Sequence, residues 1–95
     1  MNAGDTSIER VLEIVNEKGL HARASAKFVE TVERFDAMAE VEKDGISVTG
    51  DSIMGLLMLA ASRGTEITVR TNGPEAEALM KALATLVADC FGEGM

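Results

Sequence analysis

The sequence predicts an α+β domain of two layers, a single sheet with all helices packed on one of its faces. Three observations lead there. The chain has 95 residues, one domain's worth on the usual ~100–200 residues per domain, so residues 1–95 form a single unit around one core. Its apolar residues switch repeatedly between a period of two and a period near 3.6, in the order β-α-β-β-α-β-α. Each of those segments is apolar on one face only, so sheet and helices must cover one another. The pattern allows an antiparallel or a mixed sheet and leaves the strand order open.

Residues 1–7 are small and polar and are expected to form a flexible N-terminal lead. From Ile8 to Val15, Leu12 and Ile14 share one parity and Glu13 takes the other, which suits a half-buried strand. Asn16-Glu17-Lys18-Gly19 reads as a loop. Ala24, Phe28, Val32 and Phe35, widened by Val29, make a helical stripe between Ala22 and Phe35, with Lys27, Glu30, Glu33 and Arg34 on the other side. Met38 to Gly50 is a hairpin turning at Asp44-Gly45, with Val41 before the turn and Ile46 and Val48 after it.

Ser52 then caps a short second helix, its hydroxyl satisfying an orphan amide of the first turn. Ile53, Leu56, Leu57 and Ala60 form the apolar face of that helix, Met54 and Met58 lie beside them, and it ends near Ser62-Arg63-Gly64. Glu66 to Thr71 alternates as a strand. Asn72-Gly73-Pro74 is a break, with Pro74 at the first turn of a last helix. Leu79, Met80, Leu83, Leu86, Val87 and Cys90 face inward from that helix. Glu75 and Glu77 complement its dipole, and Gly92 and Gly94 end it.

Composition narrows the function. Apolar residues make up 46% of the chain but aromatics only 3%, so Leu, Ile, Val, Ala and six Met must build the core. Nine basic against sixteen acidic residues give a net charge of −7. A phosphate backbone or an anionic membrane repels such a surface, so no nucleic acid and no membrane insertion is expected, and partners with basic patches are favoured. The single cysteine, Cys90, excludes an internal disulfide and a cysteine-rich zinc site. No apolar stretch reaches the ~18–20 residues of a membrane span. The N-terminus has neither a basic nor an apolar region of a signal peptide, so the expected location is the cytoplasm. The protein is expected to act as a monomer, with no cofactor and no metal.

His21 is the only histidine. It stands after a glycine-containing loop and before the first helical stripe, at a helix N-terminus. Unpaired amides and the positive dipole end make such a terminus a phosphate site. Arg23 adds a forked, permanently charged donor set two residues on. A neutral imidazole is a competent nucleophile toward phosphorus, so His21-Ala22-Arg23 suits transient phosphoryl loading. No metal ligand stands at i+3 or i+4, where Ala24 and Ser25 sit, and nothing marks the nucleophile elbow of a serine hydrolase.

Ser52 is the second candidate. Besides capping, it could carry a regulatory phosphate, because the helix dipole and amides would hold the added charge. Met54, Leu57 and Met58 on the same helix could form an adaptable docking face or simply be core. Cys90 reads as a buried small apolar residue. The glycines match neither a dinucleotide fingerprint nor a Walker sequence.

Gly19-Leu20-His21-Ala22-Arg23-Ala24-Ser25-Ala26-Lys27-Phe28-Val29 resembles the active-site segment of the HPr family, the histidine-containing phosphocarriers of bacterial phosphotransferase systems. Thirty-one residues after the histidine, Asp51-Ser52-Ile53-Met54-Gly55-Leu56-Leu57-Met58-Leu59-Ala60 resembles that family's regulatory-serine segment. The resemblance runs from about Ile8 to Phe91. It implies an open-faced β-sandwich with a four-stranded antiparallel sheet and three helices on one face. It implies that His21 takes a phosphoryl group on Nδ1 from the phosphohistidine of enzyme I and passes it to a IIA-type protein. Arg23 would assist, HPr kinase/phosphorylase would act on Ser52, and Met54, Leu57 and Met58 would meet partners. Such a chain is a stoichiometric carrier and not a turnover enzyme. The Ser-Ile-Met-Gly form also resembles nitrogen-type regulatory branches.

The sequence departs from the family at Ala24, where proline is common, which implies a slightly looser first turn. The rival reading is a regulatory interaction module, in which phosphate on His21 or Ser52 switches partner binding without onward transfer. A small hydrolase built on His21 would lack a second catalytic group at any recognisable spacing.

Overall fold

The computed structural model describes residues 7–94. Its elements follow the predicted order: β1 Ser7–Glu13, α1 Ala22–Glu33, β2 Met38–Lys43, β3 Ile46–Thr49, α2 Ile53–Met58, β4 Glu66–Asn72 and α3 Ala76–Ala88, then a single 3-10 turn at Cys90–Gly92. Residues 1–6 of the expected N-terminal lead lie outside the described residues. Ser7 does not belong to such a lead: it opens β1 and pairs with Asn72.

The four strands form one antiparallel sheet in the order β1-β4-β2-β3. The strand latest in the chain, β4, therefore lies inside the sheet between β1 and β2. Register follows from alternation, since a one-residue slip would turn every apolar side chain outward. Ile67, Val69 and Thr71 of β4 are buried on the helix side, as are Leu12 of β1 and Ala39 and Val41 of β2. Asp44 (φ 51) and Gly45 (φ 81) make the two-residue turn between β2 and β3. Both take the positive φ that a type I′ hairpin turn requires.

The helices supply the second layer. From α1, Ala24, Phe28, Val29 and Val32 enter the core, as its spacing predicts; from α3, Leu79, Met80, Leu83 and Val87 do so. Phe28 and Phe91 are the largest fully buried side chains. Burial of each stabilises the fold by roughly 1.5–3 kcal/mol.

The opposite sheet face is open and charged. Arg70 of β4 reaches Glu9 on β1 (2.7 Å) and Glu40 and Glu42 on β2 (3.3 and 2.9 Å). Its pKa is raised beyond the ordinary arginine value, first by the hydrogen bond to Glu42 and then by that to Glu9. One cation thus sets off three carboxylates across three strands, which without it would repel one another.

Three element ends differ from expectation. Helix α2 stops at Met58, because Ala60 enters the left-handed region (φ 51) just past the cap. Leu59 and Ala61 are consequently buried where Ala60 was expected to be, and Ala60 is exposed. Pro74 precedes α3 by two residues and leaves the N-cap to Glu75. At the other end α3 closes at Ala88, so Cys90 lies in the following turn, half-buried with φ 55, and is not part of the inward stripe.

Candidate functional site

The site begins at the loop from β1 into α1. Asn16 is fully buried, and its Nδ2 donates to the Gly19 carbonyl at 2.8 Å, closing the loop on itself. Leu20 N–H then bonds the Ala61 carbonyl (2.8 Å), which ties the loop to the segment after α2. These bonds bring the chain into α1 with His21 as N-cap, in extended backbone (φ −78, ψ −177) and with no capping bond from its ring. The ring is left available to other partners.

The first bond of α1 runs from Ser25 N–H to the His21 carbonyl, at 2.8 Å. Ahead of it stand the amides of Ala22, Arg23 and Ala24, which have no backbone acceptor among the described residues. Ala24 contributes one of these donors, which a proline could not. Helix α1 starts with a well-formed bond at this turn, and Ala24 is fully buried. Ser25 is buried too and donates its hydroxyl to the Leu20 carbonyl (3.2 Å), so it serves the loop.

Arg23 is exposed and lines an open cleft of about 430 Å³ together with Glu17, Lys18, Lys27, Gly92 and Glu93. Three of those six residues are cations, in a chain whose net charge is −7. His21 borders a smaller depression of about 170 Å³ with Lys18, Leu20, Ala60, Ala61 and Ser62. Lys18 is shared by both, so the histidine and the cationic cleft adjoin.

Three contributors were not singled out in the sequence. Glu93, 72 positions after the histidine, brings its Oε2 to 2.5 Å from His21 Nε2. Its Oε1 accepts from Asn16 Nδ2 at 3.1 Å. Partial burial pushes the Glu93 pKa up, but the hydrogen bonds from His21 and then Asn16 outweigh it and hold the carboxyl below its ordinary value. Lys27, assigned to the outer face of α1, instead donates from Nζ to the Phe91 carbonyl at 2.7 Å. The only sequence signal for the Glu93 contact is a lone carboxylate between Gly92 and Gly94, which marks a turn without saying where the turn leads.

Ser52 caps α2, its Oγ accepting from Gly55 N–H at 3.0 Å. A Cβ at Gly55 would meet Val48 Cβ at 3.0 Å, so α2 lies close on β3. Helix α2 also packs against α1. The residues that border His21 are Ala60, Ala61 and Ser62, past the C-terminal end of α2, whereas Ser52 stands at the opposite end. Met54 and Met58 are exposed (70% and 69%), with Ile53 exposed and Leu57 half-buried beside them. Among the described residues no group of three or more His, Cys, Asp and Glu could hold a metal ion, and no helix is long and apolar enough to cross a membrane.

Comparison with known proteins matches this architecture closely. Residues 8–89 match the family described as "PTS HPr component phosphorylation site". The phosphocarrier protein HPr of Neisseria meningitidis serogroup A is 46% identical over 87 residues, covering 92% of this chain and 98% of that protein. HPr of Cupriavidus necator is 42% identical over the same shares of both chains. The crystal structure of HPr-C-His from Thermoanaerobacter tengcongensis superposes with a TM-score of 0.88 at 40% identity, covering 93% of this chain and 99% of that one. A loop-bound histidine at a helix start, on an open-faced sandwich of this topology, is thus accompanied by a family match across nearly the whole chain, and the protein belongs to the HPr family of phosphotransferase-system phosphocarriers.

Proposed function

We propose that His21 accepts a phosphoryl group on Nδ1 from the phosphohistidine of enzyme I and delivers it to a histidine of a IIA-type protein. The observation that carries this reading is the N-cap position of His21, with a ring that makes no capping bond and three amides ahead of the first helical bond. As phosphorus bonds to nitrogen, its oxygens would meet those amides and the positive end of α1. Arg23, exposed beside the same turn, would add a forked cation. Lys18 and Lys27 line the same cleft as Arg23, where three cations outnumber the carboxylates of Glu17 and Glu93.

The chain acts as a cytoplasmic, stoichiometric carrier. In this reading it works as a single copy, with one acid-labile phosphate per chain. Ser52 is the regulatory position, modified by a serine kinase of the HPr kinase/phosphorylase type. Met54, Leu57 and Met58 form the docking face, because exposed methionines at i and i+4 give partners an adaptable apolar surface.

The test is incubation with enzyme I and phosphoenolpyruvate, followed by a chase with a IIA-type protein. The wild type takes up one acid-labile phosphate per chain and loses it to the acceptor. His21→Ala takes up none while remaining folded at the assay temperature, since the loss of one partly exposed side chain costs only a fraction of the fold's stability. Labelling of His21→Ala at the wild-type level would overturn the assignment. A label that loads but never transfers would mark an interaction module instead.

A further inference from the structure

Glu93 lies beyond residues 8–89 of the family match, yet its position is built by several independent contacts. Past α3 the chain takes three successive positive φ angles, at Cys90 (55), Phe91 (54) and Gly92 (76), and so folds back toward α1. Two of the three are not glycine, so something must hold them there. The Phe91 side chain is fully buried in the core, and Lys27 binds the Phe91 carbonyl. Asn16 holds one oxygen of Glu93, and the other oxygen meets His21 Nε2. The Glu93 side chain is only 15% exposed, so water competes weakly for it.

We infer that Glu93 is a positioning residue for phosphoryl transfer, acting on Nδ1 of His21 through the opposite ring nitrogen. The inference rests on the phosphocarrier reading above. An ionised carboxylate can only accept, so a neutral imidazole facing it carries its one proton on Nε2. The Nδ1 lone pair is then free. In the transfer that lone pair forms the new N–P bond, while the N–P bond of the donor phosphohistidine breaks and its electron pair returns to the donor ring. No proton moves during this exchange. His21 keeps its Nε2 proton, so its ring becomes cationic as the bond forms, and the Glu93 charge balances it from the side away from phosphorus. The same contact fixes the ring plane, which orients Nδ1.

Glu93→Gln separates charge from shape, because the amide oxygen can still accept from Nε2. Loading by enzyme I and phosphoenolpyruvate should show kcat falling roughly tenfold or more, with KM changed less than about twofold. Glu93→Ala should fall at least as far, and Glu93→Asp, which keeps the charge, should recover part of the loss. Ring NMR of the unloaded wild type should show a His21 Nε2–H signal protected from water exchange, lost in Glu93→Ala. Melting curves establish that each variant is folded at the assay temperature. Wild-type kcat in Glu93→Gln would reduce Glu93 to a structural tie, and faster loading would make it an obstruction; either overturns the inference. An Nε2–H signal absent from the wild type, or unchanged in Glu93→Ala, overturns it without reference to kinetics. Failure of the wild type to load at all would overturn the phosphocarrier reading, and the inference with it.

Discussion

Gly19 lies so close to Ala61 that a Cβ on the glycine would stand 2.5 Å from the Ala61 carbonyl oxygen and 2.9 Å from the Ser62 Cα. Its φ of +66 is also one that L side chains rarely adopt. The close approach lets Leu20 N–H reach the same Ala61 carbonyl, so the residue two places before His21 fixes the entry into α1. Gly19→Ala should therefore destabilise the fold by about 1–3 kcal/mol. A thermal melt checks this, with a fall in Tm of roughly 4–8 °C per kcal/mol for a domain of this size. An unchanged melt would mean that the loop yields without strain.

Arg23 stands on the first turn of α1, exposed and within the cationic cleft. If it meets the phosphoryl group, Arg23→Ala should slow loading by one to a few powers of ten, at roughly 1.4 kcal/mol of barrier per power. Arg23→Lys should recover only part, since a point charge replaces a planar fork. Steady-state rates with enzyme I would decide it, and identical rates for all three proteins would make Arg23 a solvated bystander.

Much of this arrangement was legible in the sequence, and the part that was not shares a physical cause. Periodicity located every strand and helix because apolar faces must be covered: Phe28 and Val32 on α1, and Ile67 and Val69 on β4, are buried as spacing required. The Asp44-Gly45 turn and the Ser52 cap follow from local chemistry and were equally readable. The strand order came only from the fold, since alternation says which side chains face inward and not which strand lies beside which. Glu93, Asn16 and Lys27 escaped because their partners are distant in sequence, 72, 77 and 64 positions away. A lone carboxylate or amide has no period, so only the folded chain reveals what it meets. The same limit applied to α2. Capping located Ser52, but only the fold shows that Ala60–Ser62, and not Ser52, borders His21.

The depressed pKa of Glu93 gives its contact a pH dependence of definite sign. The folded state holds the carboxyl ionised more strongly than the unfolded chain does. In the acid range the unfolded chain therefore binds more protons, and stability rises with pH. The contribution is complete above the unfolded carboxyl's ordinary pKa, roughly 4.3, and is lost as pH falls below it through the folded value. The wild type should thus melt above Glu93→Gln at pH 7, with the gap closing on acidification below about pH 4. A gap that stays constant down to pH 2.5 would contradict a charged contact.

Ser52 tests whether the far end of α2 governs loading at His21. The serine accepts from Gly55 N–H at the N-cap, and aspartate caps as well as serine does. Ser52→Asp should therefore melt like the wild type, whereas Ser52→Ala should lose about 1 kcal/mol. The kinetics should run the other way. Ser52 and the exposed Met54 and Met58 share one short helix, so a partner seated on the methionines would bury a new charge at their edge. A phosphate there brings about −1.5 to −2 charges, and aspartate brings one. Desolvation of that charge would then oppose docking, while the chemistry at His21, beyond the other end of α2, would be untouched. Ser52→Asp should raise the KM of this protein as a substrate of enzyme I by about tenfold, with kcat unchanged, and Ser52→Ala should keep the wild-type KM despite its lower Tm. Loss of kcat in Ser52→Asp would place the effect on the reacting centre. Wild-type KM in Ser52→Asp, measured beside a phosphoserine form that also loads normally, would remove Ser52 from control of loading.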